Sequence, residues 1–150
     1  MILSSPNFND GMMIPRKFTC DGGGINPELQ IQNVPPEAKS LALIMHDPDA
    51  PIASGFTHWV VWNINPQTTL IKDESIPPNS VEGANSSGER GWFAPCPHAG
   101  THHYEFQLYA LDAVLGLDDF VLGLGQHTVD DAPHRAVVVD DQYFRHNLSP

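Results

Sequence analysis

The stretch Ser40-Leu41-Ala42-Leu43-Ile44-Met45-His46, running into Asp47-Pro48-Asp49-Ala50-Pro51, decides the reading of this chain. Successive side chains of a strand point to opposite sides. Five consecutive apolar residues at 41–45 therefore describe a strand covered on both faces, the pattern of a central strand. The run is far too short to cross a bilayer. Two prolines then stop it, so Asp47 stands where a doubly buried strand opens into a stiff turn.

Two further strands read clearly from that centre. Residues 57–64 place His58, Val60, Trp62 and Ile64 on one face and Trp59, Val61 and Asn63 on the other. Residues 102–111 alternate as well. His102, Tyr104, Phe106, Leu108 and Ala110 form the set that turns apolar after its two leading residues, so it faces the core. His103 falls on the wetter side. Leu29, Ile31 and Asn33 alternate with Gln30, Gln32 and Val34, a half-buried strand ended by Pro35-Pro36. Residues 65–100 are rich in Pro, Asn, Ser and Gly and read as a long irregular connection with one short strand. Such stretches are usually functional in compact domains. Pro133 suits the first turn of a helix reaching to about 146, after a short helix near 117–124, although Val137-Val138-Val139 would equally suit a strand.

With 150 residues, a single domain spanning 1–150 is expected, large enough to bury a real core. Fourteen prolines and twelve glycines, spread rather than clustered, point to many turns between short strands. The net charge of −11 predicts repulsion from nucleic-acid backbones and anionic membranes, so neither is an expected partner. The N-terminus lacks the basic and apolar regions of a signal peptide, so a cytoplasmic protein is expected. In that compartment Cys20 and Cys96 are expected as reduced, buried thiols rather than as a bridge.

Asp47, His58, His102 and Tyr104 each lie at the end of a buried strand face. Taken singly, each has a structural reading: a turn aspartate bonded to backbone N–H groups, or a hydrogen-bonded core histidine. Together they could line one polar pocket. A carboxylate beside an imidazole favours the charged ring, and imidazolium, phenol and backbone N–H groups together suit an anion. His46, Asp47, His58, His98, His102 and His103 could also supply metal ligands, but no recognised ligand spacing is present, so no metal is expected. No G-x-S-x-G supports a serine hydrolase, and Gly22-Gly23-Gly24 lacks the lysine of a P-loop.

The pieces Phe18-Thr19-Cys20-Asp21-Gly22, Asp47-Pro48-Asp49-Ala50-Pro51, Thr57-His58-Trp59-Val60, Ala94-Pro95-Cys96-Pro97, and His102-His103-Tyr104 leading to Leu108-Tyr109-Ala110-Leu111-Asp112, occur in that order. In this the chain resembles the phosphatidylethanolamine-binding protein family, which includes the Raf kinase inhibitor protein, and especially its short bacterial and archaeal members. The resemblance implies a mainly β, antiparallel, Greek-key fold of two sheets with a few peripheral helices. It implies a small anion pocket in which Asp47, His58, His102 and Tyr104 take the family positions and Pro95 and Pro97 form a wall. It also implies a binding or inhibitor module, often homodimeric, with no cofactor and no catalytic residue. His103 replaces the family's usual arginine, and Ala94 its usual glycine. The last thirty or so residues depart from the family's C-terminal helix. The expected partner is thus a small phosphate- or phosphoethanolamine-like anion, or a protein segment presenting such a group. A kinase or protease inhibitor using the same pocket is the alternative, and a phosphoester hydrolase with a histidine base the second.

Overall fold

The computed structural model describes residues 1–116 and the backbone strand at 136–147. Its strands are β1 (Ile2–Ser4), β2 (Leu29–Gln32), β3 (Ser40–Asp47), β4 (Phe56–Ile64), β5 (Leu70–Ile71), β6 (Val81–Glu82), β7 (Thr101–Leu111) and β8 (Ala136–Asn147). One turn of 3-10 helix, Arg16–Phe18, is the only helical element among the described residues. All pairings are antiparallel, in a three-stranded sheet ordered β1-β2-β5 and a five-stranded sheet ordered β6-β4-β3-β7-β8.

β3 lies at the middle of the larger sheet, as its unbroken apolar run requires. Leu41, Leu43 and Met45 join the main core, where they meet Leu3, Leu29, Ile31 and Ile71 of the smaller sheet. Ala42 and Ile44 serve a second apolar cluster on the opposite face, with Val60, Trp62 and Leu111. β7 pairs along the other side of β3, so the chain crosses from the β4–β6 edge before closing the sheet. Its alternation holds: Tyr104, Phe106, Leu108 and Ala110 are all buried in the main core.

β4 departs from the simple alternation read in the sequence. Met45 pairs with Trp59 and His46 with Thr57, which leaves His58 as an extra residue in the ladder. A second irregularity sets Leu41 against Ile64 and Leu43 against Val61, with Asn63 at φ 56. Each bulge reverses the phase of the strand. Val60 and Trp62 keep the outer face, but Ile64 turns inward beside Trp59 and Val61, and His58 turns inward toward Tyr104. The expectation that His58, Val60, Trp62 and Ile64 share a face is therefore corrected.

Two other expectations change. The tail expected to be helical from about Pro133 to His146 contains β8, which pairs along the whole length of β7, with Val139 the extra residue at a bulge. The β-branched Val137-Val138-Val139 run fits a pleated strand along an open edge better than a helix. The short helix expected near 117–124 lies outside the described residues. Cys20 and Cys96 form a disulfide with Cα atoms 5.4 Å apart, and both residues are exposed. That overturns the expectation of reduced, buried thiols. The long connection holds two short strands, β5 and β6, where one was expected.

The turn between β3 and β4 depends on Gly55, at φ +68. A Cβ there would stand 2.5 Å from His46 Nε2 and 2.6 Å from the Asp47 carbonyl oxygen. Gly55→Ala is expected to destabilise the protein by about 2 kcal/mol, through left-handed backbone strain and this collision. Urea unfolding of the variant beside the parent protein measures the loss.

Candidate functional site

Asp47, His58, His102 and Tyr104 converge where β3, β4 and β7 open into the 48–55 turn and the 91–100 segment. They line one cavity of about 450 Å³, together with Asp49, Phe56, Phe93, Pro97 and neighbouring loop residues. Among the described residues, a depression of the same volume over β2 and residues 66–70 has no ionisable lining residue.

The Asp47 carboxylate organises the floor. One oxygen, Oδ1, accepts the Asp49 backbone N–H at 2.9 Å. The other accepts His102 Nδ1–H at 2.7 Å and lies 3.9 Å from His58 Nε2, too far for a direct hydrogen bond but close enough for attraction. Asp47 is only 3% exposed. Burial acts to raise its pKa, but His58, His102 and the Asp49 N–H together outweigh burial and hold it below the usual aspartate value.

The bulge fixes His58 at two points. Its backbone carbonyl accepts the Phe93 N–H at 2.9 Å, while its Nδ1–H donates to the Phe93 carbonyl at 2.8 Å. Because a carbonyl oxygen can only accept, the proton on Nδ1 is set. The same logic sets the Nδ1 proton of His102 against Asp47. Each ring is left with Nε2 for chemistry in the cavity, as an acceptor when neutral and a donor when charged. Tyr104 packs edge-on against His58 with ring centroids 5.2 Å apart. Burial first, then the charges of Asp47 and Asp49, push its phenol above the ordinary tyrosine value. It therefore remains a neutral O–H.

Both prolines are buried; Pro97 lines the cavity, whereas Pro95 does not, and its carbonyl accepts the Cys20 N–H at 3.0 Å. His103 is not a lining residue. Its Nδ1–H and backbone N–H both reach Asp49 Oδ2, at 2.5 and 2.7 Å, which pins the 48–55 turn to the start of β7. Burial acts to raise the Asp49 pKa, but these His103 contacts outweigh it and lower the pKa. Sequence reading missed the aromatic wall of Phe56 and Phe93, whose centroids are 5.2 Å apart. The register gives a signal for Phe56, which pairs directly with Asp47; nothing in the irregular sequence around Phe93 does so. Among the described residues no group of three or more His, Cys, Asp or Glu is arranged to hold a metal ion. No helix among them is long and apolar enough to cross a membrane.

Two antiparallel sheets with a histidine-rich cavity at the strand ends define a class of protein. The phosphatidylethanolamine-binding protein profile matches residues 4–140, and the chain belongs to that family. A relative is the UPF0098 protein of Methanothermobacter thermautotrophicus, 49% identical over 123 residues that cover 79% of this chain and 81% of that one. The fold is similar to that of CT736, a phosphatidylethanolamine-binding protein homologue from Chlamydia trachomatis. The TM-score is 0.78 at 33% identity, over 99% of this chain and 96% of that one. YbcL of E. coli superposes with a TM-score of 0.79 at 24% identity over 98% of each chain, a likeness of fold.

Proposed function

We propose that the cavity binds small ligands bearing a phosphate or carboxylate group, including phosphoethanolamine-like molecules, and that the protein acts as a binding module. The observation that carries this reading is that His58 and His102 both commit Nδ1–H to fixed acceptors. That leaves two Nε2 positions, which become donors when the rings are charged, and the neutral Tyr104 O–H around one space. Among the described residues no lysine or arginine lines the cavity, so positive charge from these residues comes from imidazolium. The Phe56–Phe93 wall gives the ligand's uncharged part an apolar surface.

Proton linkage gives the first test. An anion that needs Nε2–H donors should bind more weakly as pH rises and the imidazoles become neutral. Acetate keeps a constant charge above its own titration, so its affinity can be followed from about pH 5.5 to 8, the range in which histidine charge changes. Affinity that rises with pH would refute the reading. His58→Ala and His102→Ala should each weaken acetate and phosphoethanolamine binding at least tenfold, about 1.4 kcal/mol, in line with loss of a charge-assisted hydrogen bond. Chemical-shift titration measures both.

The inhibitor reading uses the same donors on a protein segment, and the hydrolase reading uses a neutral Nε2 as general base. Turnover of a phosphoester panel that disappears in both variants would favour the hydrolase. The proposal includes a homodimer and a cytoplasmic location, read by sedimentation and by cell fractionation.

A further inference from the structure

The segment 91–100 forms one wall of the cavity yet contains no regular element. Its first half is held by hydrogen bonds to the backbone of residues 91 and 93. Gly91 N–H reaches Gly83 O at 3.3 Å, and Phe93 pairs twice with His58. Its second half is held differently. Cys20 N–H donates to Pro95 O, and Cys96 is bonded covalently to Cys20. Among the described residues, Pro97, His98, Ala99 and Gly100 make no hydrogen bond to another segment before β7 begins at Thr101.

The far end of this tie is rigid. Thr19 N–H and Gly22 N–H close successive turns on Arg16 O and Thr19 O, at 3.1 and 3.0 Å, and Gly23 N–H reaches Lys17 O at 3.0 Å. A Cβ on Gly22 would stand 2.0 Å from Arg16 O, which shows how closely the loop is wound. The disulfide thus fastens a loosely bonded wall to a tight turn. Cys96 itself lines the cavity, and both cysteine residues lie on the surface, where thiol–disulfide exchange partners meet the protein.

We propose that the Cys20–Cys96 disulfide is a redox-operated strut of this cavity: a dithiol reductant opens it, releases the wall at 95–100 and lowers ligand affinity. The proposal rests on the binding reading above. In the step, one thiolate of the dithiol attacks a cysteine sulfur and breaks the S–S bond, forming a mixed disulfide. The second thiol then attacks that intermediate. The dithiol leaves oxidised by two electrons, and the protein keeps two cysteine thiols with the two protons. Reoxidation by a disulfide of the same class reverses the step.

The test uses the full chain, oxidised or reduced with dithiothreitol, with thiol state read by alkylation and mass spectrometry and folding read by circular dichroism. Phosphoethanolamine and acetate are the probes. Reduction should weaken both at least tenfold, and reoxidation should restore them. Cys20→Ser and Cys96→Ser should bind weakly with or without reductant. Folded, reduced protein that binds with unchanged affinity overturns the proposal.

Linkage supplies a measurement on the native sequence that does not depend on any variant folding. A tenfold preference for the oxidised form must shift the disulfide midpoint by about 30 mV toward resistance to reduction when probe saturates the cavity. A midpoint that ignores the probe overturns the proposal as well. If oxidised protein binds neither probe, the binding reading fails, and the strut is judged separately by amide exchange. Faster exchange after reduction at Cys20 and Phe93, whose N–H groups donate to Pro95 O and His58 O, supports the strut, and unchanged exchange removes it.

Discussion

Asp47→Ala is expected to lower the unfolding free energy by about 3 kcal/mol, the scale for removing one partner of a buried, hydrogen-bonded charge pair. The change strips the acceptor from His102 Nδ1–H and from the Asp49 N–H together, in a place where the Asp47 side chain is 4% and the His102 side chain 15% exposed. Asp47→Asn keeps the shape and so isolates the charge. Its pH dependence has a definite sign. Burial raises the Asp47 pKa, but the histidines and the Asp49 N–H reverse that and leave it below the unfolded value. A carboxylate depressed in this way stabilises the fold above its unfolded pKa, near 4, and loses that contribution as pH falls through the folded value. The melting temperature of the parent protein should therefore fall on the acid side of about pH 4, and its advantage over Asp47→Asn should shrink there. Thermal unfolding between pH 7 and 2.5 measures both curves. A gap that stays constant would mean that the carboxylate charge is not what holds the floor.

The second large effect concerns the whole chain. The bridge joins residues 76 apart in sequence. Closing a loop of that size removes enough freedom from the unfolded chain to stabilise the fold by roughly 4 kcal/mol in the chain-entropy account. Cys20→Ser, Cys96→Ser or the double variant should therefore melt roughly 10 °C lower, as scaled for a domain of this length. All three should agree within about 1 kcal/mol, because each removes the same constraint. A loss below about 1 kcal/mol would show that the unfolded chain is already restricted across this span. Calorimetry of oxidised and reduced samples supplies the comparison. A stability of 5–15 kcal/mol, typical of domains, would leave the reduced form folded, which is the state that the ligand experiments require.

How far these features were legible in the sequence differs by feature. The central place of β3 follows from Leu41 to Met45 alone, because no solvent-facing strand carries apolar side chains on both sides. The alternation of Tyr104, Phe106, Leu108 and Ala110 likewise needs no structure, and it correctly separated His102 from His103. The inward turn of His58 was not legible. Bulges are set by the partner strand, and nothing in Thr57-His58-Trp59 announces that Met45 will pair with Trp59 while His46 pairs with Thr57. The cysteine pairing failed for a related reason. Their approach depends on how residues 16–23 and 91–97 fold against each other, while the inference used only a presumed compartment. At the tail, a possible helix start at Pro133 was given more weight than three consecutive valines, although β7 offers a free side to a further strand and β8 takes it.

The extra residue in β4 has one more consequence. On either side of His58 the strand obeys two incompatible parities, so no uniform inside–outside code can describe it. Deleting His58, the extra residue, would let the ladder run straight and would remove the imidazole that faces Asp47. Selection for robustness alone would iron the kink flat. Its presence marks the spot where this protein gives up regularity to keep a ring facing Asp47 and the cavity.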